Sequence, residues 1–339
     1  MVKDKYYSAI DIAKYVSALL VVAVHTYPLL EINAVLNTFF IGTICRLAVP
    51  FFFCASGYFL FRKMNGDEKR DQNRIIRYLY RIGQLYLVWT VIYLPYVIWD
   101  LAQSKSRFRF ILGWVRDFFL CGSYYHLWFL PALMLGIVIV YALVYKKGMK
   151  GALFAVLGLY FVGYLINIYG PIWETLPVIH IVYGFFTKTM VTARNGIFFA
   201  PMFLFIGMWI ARKGANSFKA SAIGFGISFL CLILEVSLYY AMGILQDLSC
   251  MYLSLIPCIW FLMQMLLRWE LPYKPSYNEL RQDSILIYVS QILFTRIFLI
   301  LLPDAHLVVY MLTLACCQMF AQAVVKYREE LRSLDAHLQ

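Results

Sequence analysis

The sequence predicts an all-α, polytopic integral membrane protein with about ten transmembrane helices and both termini in the cytoplasm. Three observations carry this. First, of 339 residues 63% are hydrophobic and only 14% charged, with a mean hydropathy of +0.72; soluble domains carry about 25% charged residues. Second, aromatic residues reach 18%, with 26 Tyr and 27 Phe, which suits interfacial belts and lipid-facing helices. Third, apolar runs close to the length of about 20 residues that crosses a bilayer recur at 8–30, 41–61, 75–99, 126–146, 150–169, 195–212, 218–241, 247–267, 281–302 and 305–326.

Orientation follows from the lysines and arginines between these runs. With the N-terminus inside, 19 of them fall in inside segments, Lys3 and Lys5 among them. Only Lys105, Arg107, Arg109, Arg116, Lys188 and Arg194 fall outside. This bias also accounts for the net charge of +12 without invoking nucleic acid. The first run is not a cleavable signal: it is too long, it contains Lys14 and His25, and no small-residue cleavage site follows.

Ser8 and Asp11 have the spacing of a capping box at the start of the first helix. Of the outside segments, 100–125 contains an aromatic and basic stretch, Phe108 to Leu120, that reads as lying on the membrane surface. Segment 170–194, with Pro171, Glu174, Pro177 and His180, reads as a lid or a connecting loop. Residues 327–339 form a charged cytoplasmic tail after a transmembrane domain over 1–326. Eight cysteines show no C-x-x-C pair or metal-like spacing, so no metal site is expected. No Gly-rich phosphate loop is visible, and nothing suits a PLP, NAD or haem site.

Ionisable residues inside spans are costly and mark functional sites by default. In the first run Lys14 and His25 lie eleven residues apart, on one face and roughly 16 Å apart along the axis. His25 is a candidate general base; the plainer reading is a histidine bonded to a neighbouring helix. Lys14 is a cation for an anionic group such as a phosphate, or a lysine that snorkels to the interface. The second span reads C-R-L-A-V-P-F-F-F-C-A-S-G-Y-F from Cys45. Arg46 cannot shed its charge and needs a carboxylate, carbonyls or a ligand. Pro50 is expected to kink this helix. Ser56 and Gly57 offer close approach to a ligand, or to another helix. Glu235 and Arg296 are also intramembrane; whether they pair with each other or with Arg46 is not decided by sequence. Tyr288, Ser290, Gln291 and Arg296 give the ninth span a polar stripe.

Lys14-x10-His25, Arg46 with V-P-F-F-F and Ser56-Gly57, H-L-W-F-L-P at 126–131, and R-N-G-I-F-F at 194–199 resemble the membrane acyltransferase-3 family, over about residues 6–326. More narrowly, the wording around Cys45 and Arg194 is similar to the membrane half of VanT-type serine racemases of vancomycin resistance. The resemblance implies a multi-pass protein of the bacterial plasma membrane that moves an acyl group from cytoplasmic acyl-CoA, acetyl-CoA above all, to a hydroxyl or amine acceptor of the cell envelope. Acyl-CoA is then a co-substrate, not a resident cofactor. His25 matches the family's catalytic histidine, and Arg46 a second arginine that holds the donor or an oxyanion. The substrate-binding set is Lys14, Ser56, Gly57, Glu235, Tyr288 and Arg296. Two departures stand out. Lys14 replaces the family's arginine and loses its bidentate fork; Ser290 stands where many members carry histidine. The PLP-dependent racemase that follows the membrane domain in the VanT type is not expected here, so racemization is not assigned.

Two functions follow. One is an acyltransferase acting on a small molecule or envelope polymer. The other is an L-serine uptake module that reuses the same cavity without acyl chemistry. A scaffold with purely structural charges, and assembly as a homodimer, stay open.

Overall fold

A computed structural model describes residues 7–246 and 249–337; Lys3 and Lys5 lie outside the described residues. In chain order the helices are α1 (Ser8–Thr26), α2 (Ala34–Gly42), a 3-10 turn (Cys45–Leu47), α3 (Ala48–Phe61), α4 (Glu68–Gln103), α5 (Arg107–Leu120), α6 (Phe129–Ile168), α7 (Gly170–Thr175), α8 (Pro177–Met190), α9 (Ala200–Lys213), α10 (Phe218–Ala241), α11 (Leu255–Arg268), α12 (Ser276–Leu301) and α13 (His306–His337). Among the described residues there is no strand. This is the expected class for a chain in hydrocarbon, where helices satisfy their own backbone.

Among the described residues, seven helical segments are long and apolar enough to cross a membrane: Ser8–Thr26, Ala34–Phe61, Glu68–Gln103, Phe129–Ile168, Phe218–Ala241, Ser276–Leu301 and His306–Arg328. The difference from ten has identifiable causes. The expected runs 126–146 and 150–169 are merged in α6. Its 40 residues would reach about 60 Å if straight, twice a hydrocarbon core of about 30 Å. The backbone breaks at Gly148, with φ 66° and ψ 178°. The expected runs 195–212 and 247–267 are represented by α9 and α11, of 14 residues each. Each follows an irregular segment.

The second expected span is interrupted as well. The helix stops at Gly42, the 3-10 turn carries Arg46, and α3 begins at Ala48. Pro50 therefore sits in the first turn of α3 rather than kinking its middle, the position where a missing N–H costs nothing. The capping box is not formed either. Ser8 is already helical, the N-cap is Tyr7 without a side-chain hydrogen bond, and Asp11 turns to Lys14 instead, 3.9 Å away. Segment 170–194 contains two helices, α7 and α8.

The chain divides into two compact units, Met1–Phe52 with Met265–Gln339, and Phe53–Gln264. In the first, α1 packs on α12 and α13 around Ala18, Val22, Ile287 and Cys317. A second small core joins Ala23 of α1 to Ile41 of α2 and Cys45 of the 3-10 turn.

In the second unit α3 and α9 meet at two glycines. A Cβ on Gly57 would collide with the Leu204 carbonyl, and one on Gly207 with the Cys54 carbonyl. Backbone-to-backbone contact of this kind is how small residues hold membrane helices together. Gly57→Ala is expected to cost about 1–3 kcal/mol through overpacking, measured as a lowered melting temperature of the detergent-solubilised chain. An unchanged melting temperature would show that α3 and α9 part easily.

Candidate functional site

In the first unit the end of α1, which carries His25, is closed by several hydrogen bonds. The helix closes with Tyr27 in the left-handed region, φ 52°, its N–H on the Ala23 carbonyl at 3.0 Å. Pro28 follows and forbids continuation. Thr26 is fully buried and donates its hydroxyl to the Val22 carbonyl at 3.0 Å. His306, at the start of α13, places Nδ1 2.8 Å from the Thr26 carbonyl, as a donor at the negative end of α1. Asn37 accepts from the Leu29 N–H at 3.2 Å and ties the following turn to α2. His25 itself is half-buried.

Arg46 is buried, 8% exposed, on the 3-10 turn. Its neighbour Cys45 packs on Ala23, with Val24 and Tyr27 against the same core. The structure thus brings the segments of both expected catalytic residues to one small core. Lys14 lies on the same helix, at the opposite end, and is half-buried. Asp11 lies beside it at 3.9 Å, and Arg281 of α12 adds a second positive charge near that carboxylate. Tyr15 donates to Gln318 of α13 at 2.8 Å, and Gln318 donates to the buried Asp283 of α12 at 2.8 Å. A polar lattice of three helices therefore surrounds the foot of α1.

Tyr288 and Gln291 are buried on one face of α12 with Thr295, at i, i+3 and i+7. Gln291 donates to the Tyr288 carbonyl at 3.1 Å, and Thr295 meets Thr313 of α13 at 3.4 Å. Ser290 is fully buried. Arg296 is half-buried.

The other expected residues fall in the second unit. Ser56 meets the Tyr78 hydroxyl of α4. Gly57 faces the α9 backbone, so the space a ligand would need is filled by helix packing. The Glu235 carboxylate is engaged within its own unit. It accepts from the N–H groups of Leu253 at 2.9 Å and Ser254 at 2.8 Å, just ahead of α11, and from Tyr239 at 3.0 Å. Tyr239 continues to Tyr164 at 2.8 Å. This is a carboxylate cap on a helix N-terminus, and it gives Glu235 a structural role in this unit.

Three of the sequence motifs converge in this unit. Phe53 lies 4.5 Å from Phe129 and 6.1 Å from Phe199 by ring centroids, and Trp128 lies 5.9 Å from Phe199. Arg194 stands over the Trp128 ring at 4.8 Å. Asn195 shapes the turn: its Oδ1 accepts from the Ile197 and Phe198 N–H groups, and its Nδ2 donates to the Thr192 carbonyl. His126 is buried edge-on to Tyr93 at 4.7 Å. Cys121 and Cys250 are both free thiols. Burial, and then the Asp117 carboxylate, push the Cys121 thiol up to about 11, so it stays protonated at neutral pH.

The profile of the acyltransferase-3 family, an acyltransferase domain, matches residues 7–328. The chain belongs to this family. It is also similar to two proteins of Enterococcus faecalis, each described as an amino-acid racemase. One is 29% identical over 335 residues, 96% of this chain and 47% of that protein; the other is 29% identical over 285 residues, 84% and 39%. A serine/alanine racemase of Enterococcus gallinarum is 30% identical over 286 residues, 83% of this chain and 40% of the relative. The acyltransferase-3 chain thus spans less than half the length of these relatives. No solved structure matches it.

Sequence reasoning missed Tyr15, Asp283 and Gln318, which look like isolated polar residues until three helices bring them together. It also missed a stripe on α4: Arg70, Arg74, Arg77 and Arg81. These stand at i, i+4, i+7 and i+11, one face of a helix. Arg70 pairs with Asp67 at 3.3 Å and Arg74 with Asp71 at 3.6 Å. Arg77 reaches only the Asn73 carbonyl of its own helix, at 3.2 Å, and Arg81 is exposed. The period was readable in the sequence.

Proposed function

We propose that this acyltransferase-3 chain is a membrane acyltransferase that moves an acetyl group from acetyl-CoA to a hydroxyl or amine acceptor. The observation that carries the reading is the family match over residues 7–328; the fixed geometry of His25 at the closed end of α1, beside the segment of Arg46, agrees with it. His25 takes the proton of the acceptor hydroxyl, and the acceptor oxygen attacks the thioester carbonyl. Arg46 stabilises the tetrahedral oxyanion. Collapse expels the CoA thiolate, which takes up the proton from the imidazolium, and leaves an acetyl ester. Lys14 is the cation that the first unit offers to the phosphates of the donor. The donor enters from the cytoplasm and the acceptor from the opposite face of a bacterial plasma membrane.

A second reading, an L-serine uptake module without acyl chemistry, is favoured by two observations. Curated relatives include a serine/alanine racemase. The charge of Lys14 is also partly answered by Asp11 within its own helix, which weakens its hold on a phosphate.

Ligand-induced thermal stabilisation separates the two. A ligand that binds only the folded chain at about 100 times its dissociation constant adds about 2.7 kcal/mol. Acetyl-CoA is expected to raise the melting temperature of the wild type and not of Lys14→Ala. Stabilisation by L-serine alone would overturn the acyltransferase reading in favour of the second.

A further inference from the structure

The second unit carries two helices that neither cross a membrane nor enter a core. α5 and α8 have 14 residues each, and neither contains a buried residue. At about 21 Å they are too short to span. α9 has the same length and the opposite environment, with Ala200 to Met208 all buried. Both α5 and α8 are fastened to the unit from one side. Trp114 donates to the Ser123 carbonyl at 2.8 Å, and Tyr86 of α4 to the Phe118 carbonyl at 2.6 Å. Arg116 donates to the Lys188 carbonyl of α8 at 2.6 Å.

The other side of α5 is an exposed apolar stripe. Phe108 is 73% exposed, Leu112 55% and Phe119 67%, with Ile111 and Val115 between them. At 100° per residue these five cover an arc of roughly 100°. On α8, Val178, Ile181, Val182 and Phe185 make a second stripe, each at least 66% exposed. The charges beside the α5 stripe have one sign. Arg107 and Arg109 flank it on either edge, and Lys105 precedes it; all three are exposed. The one carboxylate on α5, Asp117, is answered by Arg116 at 2.8 Å. Three cations are thus left without an ion pair among the described residues.

We infer that α5 and α8 form a platform that lies in the lipid interface and seats on anionic phospholipid, with the stripes among the upper acyl carbons and Lys105, Arg107 and Arg109 on headgroup phosphates. Because α4 runs directly into α5, the platform stands on the side of the membrane opposite the start of α4. The lysine and arginine bias makes that the outer leaflet. The occupant is the bilayer: exposed apolar side chains flanked on both edges by cations fit an interface, and each such cation favours an anionic surface about fivefold.

The test uses the full chain in nanodiscs of phosphatidylcholine, with and without phosphatidylglycerol. In one arm a fluorescent amino acid replaces Phe108 or Phe110, neighbours on opposite sides of α5, and the lipids carry bromine on the upper acyl carbons. Quenching is expected at 108 and not at 110. In the second arm phosphatidylglycerol raises the melting temperature of the wild type, and Lys105→Gln/Arg107→Gln/Arg109→Gln loses that gain while melting like the wild type in phosphatidylcholine alone. Lys146→Gln/Lys147→Gln/Lys150→Gln keeps the gain. No quenching at 108, as when a second copy of the chain covers the stripe, overturns the inference; so do equal quenching at both positions and a triple variant that retains the full phosphatidylglycerol gain.

Discussion

His25→Ala is expected to lower acetyl transfer by about 100- to 10,000-fold, the range that a positioned general base contributes, while the melting temperature stays near that of the wild type. The end of α1 is held by the Tyr27 closure, by the Thr26 hydroxyl on Val22 and by His306 on the Thr26 carbonyl. None of these passes through the His25 side chain. The measurement is transfer of radiolabelled acetyl from acetyl-CoA in proteoliposomes, with thermal unfolding run on the same preparation. Retention of wild-type transfer in His25→Ala would remove the base from the mechanism. Loss of transfer together with a large fall in melting temperature would make His25 a packing residue.

The helical content and the polytopic class were legible because composition and run length do not depend on tertiary contacts. Lys14 and His25 on one helix face were legible for the same reason: α1 is regular from Ser8 to Thr26, so spacing alone fixes the face. The break before Arg46 was not. Nothing in C-R-L-A-V-P announces a 3-10 turn, and proline misleads there, because it starts α3 instead of bending it. Nor could the sequence tell a short buried helix from a span. α9 was predicted to begin at 195, yet Asn195 spends its side chain on a turn that delays the helix to Ala200. Gly57 and Glu235 were legible as special, but their backbone partners were not. An intramembrane glycine and carboxylate look alike whether they face a ligand or another segment of backbone, and only the partners decide.

Glu235 is where that distinction can be measured. Its two oxygens take the Leu253 and Ser254 N–H groups and the Tyr239 hydroxyl, so its removal leaves three donors without their acceptor. Hydrogen bonds to a charged group contribute about 1.5–3 kcal/mol each, and a donor stranded out of water costs about 1–3 kcal/mol. Water reaches part of this site, since Leu253 is 38% exposed, so the sum is discounted. Glu235→Ala is expected to destabilise by about 3 kcal/mol, and Glu235→Gln, which keeps one acceptor oxygen, by about 1–2 kcal/mol. Tyr239→Phe removes only the hydroxyl's share and is expected to fall below both. The order Ala, then Gln, then Tyr239→Phe, read from melting temperatures in detergent, is the signature of a cap. A ligand-binding carboxylate gives a different pattern: the melting temperature of the ligand-free chain holds in Glu235→Ala, and the stabilisation by L-serine or acetyl-CoA disappears. In the first case this charge belongs to the architecture of α11. In the second the carboxylate recovers the substrate-binding role the sequence suggested, and the contacts it makes to backbone are those of a site waiting to exchange them.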